Sequence, residues 1–275
     1  MSKSGTKATQ EFYDQDGWQT NDAGETLDRE LFGTKEDGPI RIGIHKAIKA
    51  AMLEALRARG GEISILECGC GGSPATFFLD DVARYTGIDF SETGIELAAQ
   101  KFKAVPIPHT FQVADACNLA FEDGAFDAIY SAHMLYHIED ADAQYQALQE
   151  MQRVLRPGGV LILHIANPRP VLFPLRALMR FVATSSALKG IARKLKGASP
   201  LPYNPQTIGW TKKALAGCTS CEVITGGMAS TAFNQKVSEH SFPGKYLWRG
   251  IGWLHGNFPG LSAYLGNYVI YICRK

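Results

Sequence analysis

The sequence predicts an α/β fold built on a doubly wound, mostly parallel sheet, and three observations lead there. The 275 residues are 45% hydrophobic and 20% charged, a folded globular composition in a chain long enough for a large core. Short apolar runs alternate with segments of helical periodicity between residues 40 and 165. The first of those runs ends in an acid and a set of glycines, a turn that lets backbone approach a ligand closely.

A helix is predicted near 40–58, from Ile40 to Leu56 and beyond, closed by Gly60 and Gly61. Strands follow at 63–67, 84–88, 109–113, 126–130 and 159–165, with helices near 74–82, 92–102 and 141–155 between them. In such sheets ligands bind beyond the carboxyl ends of the strands. After Ile165 the rhythm changes. Residues 168–204 form a Pro-bounded insertion, basic and apolar, followed by a helix near 205–216 and a strand at 221–225. A long aromatic and glycine-rich stretch at 229–262 then leads to a final strand from Tyr268. The expected organisation is a cover segment (1–38), a cofactor-binding core (39–167), a lid and substrate region (168–262) and the last strand of the core sheet (263–275).

The formal net charge of +1 conceals a division. Residues 1–150 hold 12 basic and 25 acidic side chains and residues 151–275 hold 16 and 2, so the halves carry −13 and +14. Such asymmetry points to two different partners. Disulfide scaffolds and disordered chains are excluded by composition, and no uncharged run of about 18 apolar residues offers a membrane span. With no apolar leader at the N-terminus, a cytoplasmic protein is expected. The six cysteines, at 68, 70, 117, 218, 221 and 273, lack any framework spacing and are expected as reduced thiols. Cys218 and Cys221 form a lone CxxC, too little for zinc, and no other cluster suggests a metal.

The chemistry is concentrated at successive strand ends. Ile63-Ser-Ile-Leu-Glu67-Cys-Gly69-Cys-Gly71-Gly72-Ser73-Pro74 joins a buried strand to a glycine turn. It is not a dinucleotide fingerprint, because counting from Gly69 the last glycine position is Pro74, and no Gly-Lys-Ser/Thr makes it a P-loop. Asp89, 22 residues after Glu67, ends the second strand where ribose hydroxyls are held in such folds. The third strand runs into Asp115 and Ala116, and the fourth into Ser131-Ala-His133-Met-Leu-Tyr136-His137.

These residues, with Leu119-Ala-Phe121, Phe126-Asp127 and Leu155-Arg-Pro157-Gly158-Gly159, resemble the class I S-adenosylmethionine-dependent methyltransferases. The resemblance is to the branch acting on small molecules and lipids that includes quinone-biosynthesis enzymes, and it covers roughly residues 40–167. It implies a seven-stranded Rossmann-like sheet with a lid inserted after strand five, and S-adenosylmethionine as cofactor. It further implies that Glu67 lies near the cofactor's amino-acid end, with Gly69 and Gly71 giving close backbone approach. Asp89 would take the ribose hydroxyls and Phe90 would lie against the adenine. Asp115 and the Ala116 amide would read the adenine edge, and Ser131 would border the methionine portion. Ser73 departs from the family's third glycine, a small-for-small change. An acidic pocket wall suits a sulfonium cation, and the acidic half of the chain is the one bearing these motifs.

For the acceptor, His137 is the expected general base, since imidazole exchanges protons near neutral pH. His133, one helical turn earlier, is expected to share its face, and Tyr136 to touch substrate. Tyr13 and Trp18, in a segment resembling the leading cover of relatives, and Trp210 are further candidate substrate contacts. The insertion 169–197 has seven basic residues and no acid among large apolar ones, the pattern of an interfacial helix. The expected activity is methyl transfer to an oxygen of an organic small molecule, anionic or lipid-like. The alternatives are transfer to nitrogen or carbon, or a peripheral membrane protein with a regulatory cofactor site. Peripheral membrane contact is an expected partner interaction; nucleic acid is disfavoured, with no RNA-binding module or base-methylation motif present.

Overall fold

The computed structural model describes residues 9–19, 45–54, 63–170, 201–227 and 242–275. Seven strands form one sheet: β1 (Ile63–Cys68), β2 (Val82–Asp89), β3 (His109–Val113), β4 (Phe126–Ala132), β5 (Leu155–Ala166), β6 (Ser220–Gly227) and β7 (Tyr268–Arg274). Their spatial order is β3-β2-β1-β4-β5-β7-β6. The first five are mutually parallel, and β7 runs antiparallel to both β5 and β6. The order reverses direction between β1 and β4, so the carboxyl ends of these two strands open a crevice between them.

Both faces of the sheet are buried, which explains why its central strands read as continuous apolar runs. Alternate residues of one strand enter opposite cores. On one face Ile63, Ile65, Val160, Ile162, Ile270 and Ile272 pack under Ile48 and Met52 of a helix at 45–54, here α1, and under Phe102. On the other, Leu66, Leu161, Leu163 and Tyr271 pack beneath Leu148 and Met151. Phe102 closes α2 (Glu92–Phe102), which Ser91 caps by accepting from the Gly94 amide. Leu148 and Met151 belong to α3 (Ala141–Val154), capped by Asp140. A short α4 (Ile208–Ala214) precedes β6, while α5 (Phe242–Asn257) and α6 (Pro259–Leu265) lead into β7.

At the amino edge, Asp127 is an internal pin. Its Oδ2 accepts from the amide and hydroxyl of Ser64, both at 2.8 Å, and its Oδ1 pairs with Arg156 at 2.7 Å. It ties β1, β4 and β5 together on the side away from the strands' carboxyl ends.

Two expectations need correction, the helix at 74–82 and the six reduced thiols. No α-helix spans 74–82; only a 3₁₀ turn, Leu79–Asp81, forms there. Successive residues Phe77 and Phe78 both pack against Tyr130, a pairing that no 3.6-residue period allows. The stretch 229–262 is helical over 242–257 and 259–265, despite five glycines between Phe242 and Leu265. Cys221 and Cys273 are disulfide-linked rather than reduced. β6 and β7 set them directly opposite one another, Cα to Cα 4.0 Å, a juxtaposition made by strand register that chain spacing does not show. Most of the insertion, 171–200, lies outside the described residues, as do 1–8, 20–44, 55–62 and 228–241.

Candidate functional site

The glycine turn after β1 is held from several sides. Gly69 and Gly71 have φ of 76° and 50°, conformations that cost a side-chain-bearing residue about 1–2 kcal/mol. The amides of Gly69 and Cys70 both donate to the Ile88 carbonyl, at 2.8 and 3.0 Å. The Lys101 ammonium, at the end of α2, donates to the Gly72 carbonyl and to Ser73 Oγ. A methyl at Gly69 would lie 2.5 Å from Met134 Cβ, and one at Gly71 2.7 Å from the Trp18 ring. Positions 69 and 71 are therefore closed to any side chain.

Two buried carboxylates flank it. Glu67 accepts from the Ala75 amide at 3.0 Å and from the Tyr85 hydroxyl. Burial raises its pKa to about 8, and the negative charge of Asp89 adds to the rise. Asp89 accepts from the Gly71 amide through Oδ2 and from the Ser91 amide through Oδ1, both at 2.9 Å. Burial raises it to about 6 against those hydrogen bonds, with Asp14 adding its charge. Each Asp89 oxygen keeps a second lone pair for a ligand hydroxyl. Phe90 follows, half-buried. Asp115 is exposed and holds the Cys117 amide at 2.8 Å, while the Ala114 amide donates to the Asp89 carbonyl, bringing Asp115 and Ala116 to the same edge. Ser131, at the end of β4, is 1% exposed, and its hydroxyl has no partner among the described residues.

Residues 9–18 lie across this edge, their last turn the π-helix Tyr13–Gly17. Gln10 donates to the Phe90 carbonyl (3.0 Å), Ser91 Oγ to Asp14 (2.6 Å), and Thr9 to the His137 carbonyl (3.4 Å). The Trp18 indole covers Gly71, Gly72 and Gly94, with Tyr13 stacked on it at 5.1 Å. Both residues thus sit against the glycine turn.

On the other side of the crevice lies the β4–α3 connection. His137 ends a 3₁₀ turn, Leu135–His137, and its Nδ1 lies 2.8 Å from the Pro202 carbonyl. A carbonyl only accepts, so Nδ1 bears the proton and Nε2 is the unprotonated nitrogen of the neutral ring. Burial lowers the pKa of this imidazole, keeping it neutral. The segment bearing Pro202 is stitched in place. Asn204 donates to the Tyr136 and Glu139 carbonyls, and the Gln144 amide reaches the carbonyls of Ile138 and Asn204.

His133 does not share a helical face with His137. It stands in the left-handed region, φ 59°, before the 3₁₀ turn, and its Nδ1 lies 3.1 Å from the Tyr136 hydroxyl. Its ring centroid is 4.3 Å from that of His164 on β5 and 5.1 Å from Tyr268 on β7. His164 Nε2 donates to the Gly226 carbonyl at 3.1 Å, and a side chain at Gly226 would strike it. Tyr136 contacts both histidines, its ring 4.5 Å from that of His137. Trp210 lies elsewhere, half-buried on the helical layer against Tyr145 of α3.

His164, Tyr268, Pro202 and Asn204 are absent from the sequence-based site. The first two stand two positions apart in the antiparallel β5–β7 register, His164 opposite Ile270 and Tyr268 opposite Ala166, and that pairing brings both to His133. Beside them a recess of about 240 Å³ is lined by Asn167, Arg169, Thr207, Ile208 and Tyr264. Among the described residues no group of three or more potential ligands could hold a metal ion.

The glycine cradle, the two acids beside it and the unpartnered Ser131 hydroxyl fit a ligand with an amino-acid end and a ribose. Comparison with known proteins agrees. Residues 66–163 match the family described as "Methyltransferase domain". Demethylmenaquinone methyltransferase of Staphylococcus saprophyticus is 31% identical over 136 residues, 47% of this chain and 55% of that protein. The ubiquinone/menaquinone biosynthesis C-methyltransferase UbiE of Geotalea daltonii is 37% identical over 120 residues, 42% and 50% of the two chains. The O-methyltransferase cnsE of Penicillium expansum is 36% identical over 103 residues, 36% of each. The chain spans from about a third to a little over half of the length of such relatives. In fold, the N-methyltransferase NodS of Bradyrhizobium japonicum, solved with S-adenosylhomocysteine, superposes with a TM-score of 0.51 at 16% identity, covering 87% of this chain and 89% of that one. Glu67, the glycine turn, Asp89 and the β4 terminus all fall within the matched segment, and the chain contains a class I S-adenosylmethionine-dependent methyltransferase domain.

Proposed function

We propose that the protein transfers a methyl group from S-adenosylmethionine to an oxygen of an organic small molecule, with His137 as the base. The observation behind the choice of oxygen is the neutral, oriented imidazole of His137. A hydroxyl must lose its proton as it attacks, whereas a neutral amine does not.

Glu67, Gly69, Gly71, Asp89, Phe90, Asp115, Ala116 and Ser131 are the residues that would hold the cofactor. When bound, it supplies an electrophilic methyl group on a sulfonium centre. The chain's own residues then position the acceptor and manage its proton. His137 Nε2 takes the proton of the acceptor hydroxyl, and the Pro202 carbonyl, accepting from Nδ1, stabilises the resulting imidazolium. Residues 9–18 exclude water along the edge, which favours a reaction that discharges a cation. Arg169 in the neighbouring recess supports an anionic or lipid-linked acceptor. Transfer to carbon is the second reading, favoured by the C-methyltransferase among the relatives.

Calorimetric titration with S-adenosylhomocysteine tests the cofactor assignment; no heat would refute it. Incubation with S-adenosylmethionine and panels of phenols, hydroxy acids, amines and enolisable ketones, read as S-adenosylhomocysteine release and acceptor mass, identifies the receiving atom. On an oxygen acceptor, His137→Ala should lower kcat about 10²–10⁴-fold with S-adenosylhomocysteine affinity preserved. Parallel loss of affinity would give His137 a structural role instead.

A further inference from the structure

Most of the large apolar side chains exposed among the described residues lie on one pair of helices. Phe242, Tyr246, Leu247 and Trp253 of α5, Phe258 at the junction, and Leu261 and Tyr264 of α6 are 45–83% exposed. Along α5, positions 242, 246, 249 and 253 follow the i, i+4, i+7, i+11 spacing of a single helical face. That face reads Phe242, Tyr246, Arg249, Trp253, with Lys245 beside it, and Trp253 and Phe258 continue it into α6 in edge contact at 5.8 Å. The other side of α5, with Trp248, Ile251 and Leu254, is partly covered.

Two further properties narrow what this face meets. Gly250, Gly252, Gly256 and Gly260 have nothing within 4 Å of where a side chain would start, and each costs a helix about 1 kcal/mol relative to alanine. A helix this glycine-rich gains little from its own sequence, so an external apolar surface is needed to support it. The charge is one-sided. No acid occurs from residue 240 to 275, and neither Lys245 nor Arg249 meets an acid among the described residues. Aromatic rings with one belt of cations suit the boundary between anionic headgroups and acyl chains, where tryptophan and tyrosine are favoured. A protein partner of matching charge would have to bring its own acids to a largely aromatic face. A bilayer offers both layers at the right depth. α6 leads directly into Tyr268, so the face flanks the carboxyl edge that holds His133 and His164.

We infer that the α5–α6 face docks the protein peripherally on an anionic membrane surface, with Phe242, Tyr246 and Trp253 in the interfacial layer and Lys245 and Arg249 against the lipid phosphates. The inference does not depend on the methyl-transfer reading. It also differs from contact through the basic insertion 169–197, because the aromatic stripe supplies the apolar half of the binding.

The test is flotation of the full chain with vesicles of phosphatidylcholine alone or containing 30% phosphatidylserine, by design about a third anionic, at low and high salt. Binding should appear on the anionic vesicles, weaken as salt rises, and fall at least about tenfold, or about 1.4 kcal/mol, in the triple variant Phe242→Ser, Tyr246→Ser, Trp253→Ser. The same variant should bind S-adenosylhomocysteine as the parent does, which separates a folded, undocked protein from a misfolded one. As a second reading, a chain with Trp253 as its only tryptophan should shift its emission to the blue on anionic vesicles. Absence of vesicle binding by the parent, or full binding by the triple variant, overturns the inference. So does a dimer in solution that the variant abolishes, because the face would then belong to a second copy.

Discussion

Glu67 is set between a buried tyrosine and a glycine turn, and its pKa of about 8 turns that setting into a stability measurement. An unfolded glutamate titrates near 4.5. Because the folded-state pKa is the higher one, the native protein holds a proton that the unfolded chain has released, and stability falls as pH rises through that window. Asp89 shares the sign but is spent sooner, its pKa being about 6. Between pH 6 and 8 the carboxylate contribution therefore belongs mainly to Glu67. Linkage with one proton and these two pKa values gives a loss of about 2 kcal/mol across that interval. Glu67→Gln keeps an acceptor for the Ala75 amide and removes the titration. Urea unfolding of both proteins at pH 6, 7 and 8, without cofactor, isolates the difference, because the histidines contribute equally to each. The parent should lose about 2 kcal/mol more than the variant over this range. Equal slopes for the two proteins would show that Glu67 is ionised in the folded state, and its assigned environment would be wrong. A cationic ligand group next to Glu67 would also drive the proton off, so S-adenosylhomocysteine binding at pH 7 should release protons, visible as a buffer-dependent binding enthalpy, and less so in the variant.

Gly71→Ala should cost about 1–2 kcal/mol from its φ alone and additionally expel the Trp18 ring; in a chain with Trp18 as sole tryptophan, its emission should move to the red and acrylamide quenching rise. If Gly71→Ala leaves that emission unchanged, Trp18 does not lie on the turn. Asp127→Ala removes the partner of the partly buried Arg156 guanidinium and of two Ser64 groups at once, and should destabilise by about 1.5–3 kcal/mol in urea unfolding. With Arg156→Met added, much of that loss should return.

The parts of the fold that the sequence discloses are those governed by local pattern. The strands of the sheet announce themselves because both faces are buried, and Asp89 and Ser131 because each ends such a strand. Phe77 and Phe78 defeat the helical reading of 74–82, since two adjacent aromatic rings enter one core against Tyr130. α5 is illegible for the opposite reason: its glycines erase the propensity signal while the aromatic face that organises it looks inward-facing on paper. His164 and Tyr268 are separated by about a hundred residues of chain, and nothing in either neighbourhood marks them. Their meeting is a consequence of β7 running antiparallel beside β5.

That antiparallel strand also explains how the charge division acquires a spatial meaning. The parallel strands β1, β2 and β4 deliver Glu67, Asp89 and Ser131 to the carboxyl edge from the acidic half of the chain. β5 and β6 also end there, and β7 starts there, so the segments that join them, including Arg169, α5 and α6, gather at the same edge from the basic half. The two halves meet across His133, Tyr136 and His137. On the reading proposed above, with a cationic cofactor on one side and an anionic surface on the other, the acceptor would approach along the boundary between them, beside His137. On this arrangement, reversing the two cations with Lys245→Glu and Arg249→Glu should abolish vesicle binding while leaving S-adenosylhomocysteine affinity within about twofold, since the Debye length near 8 Å screens surface charges from the glycine turn. A matching fall in cofactor affinity would mean that the two halves of the chain are not electrostatically separate.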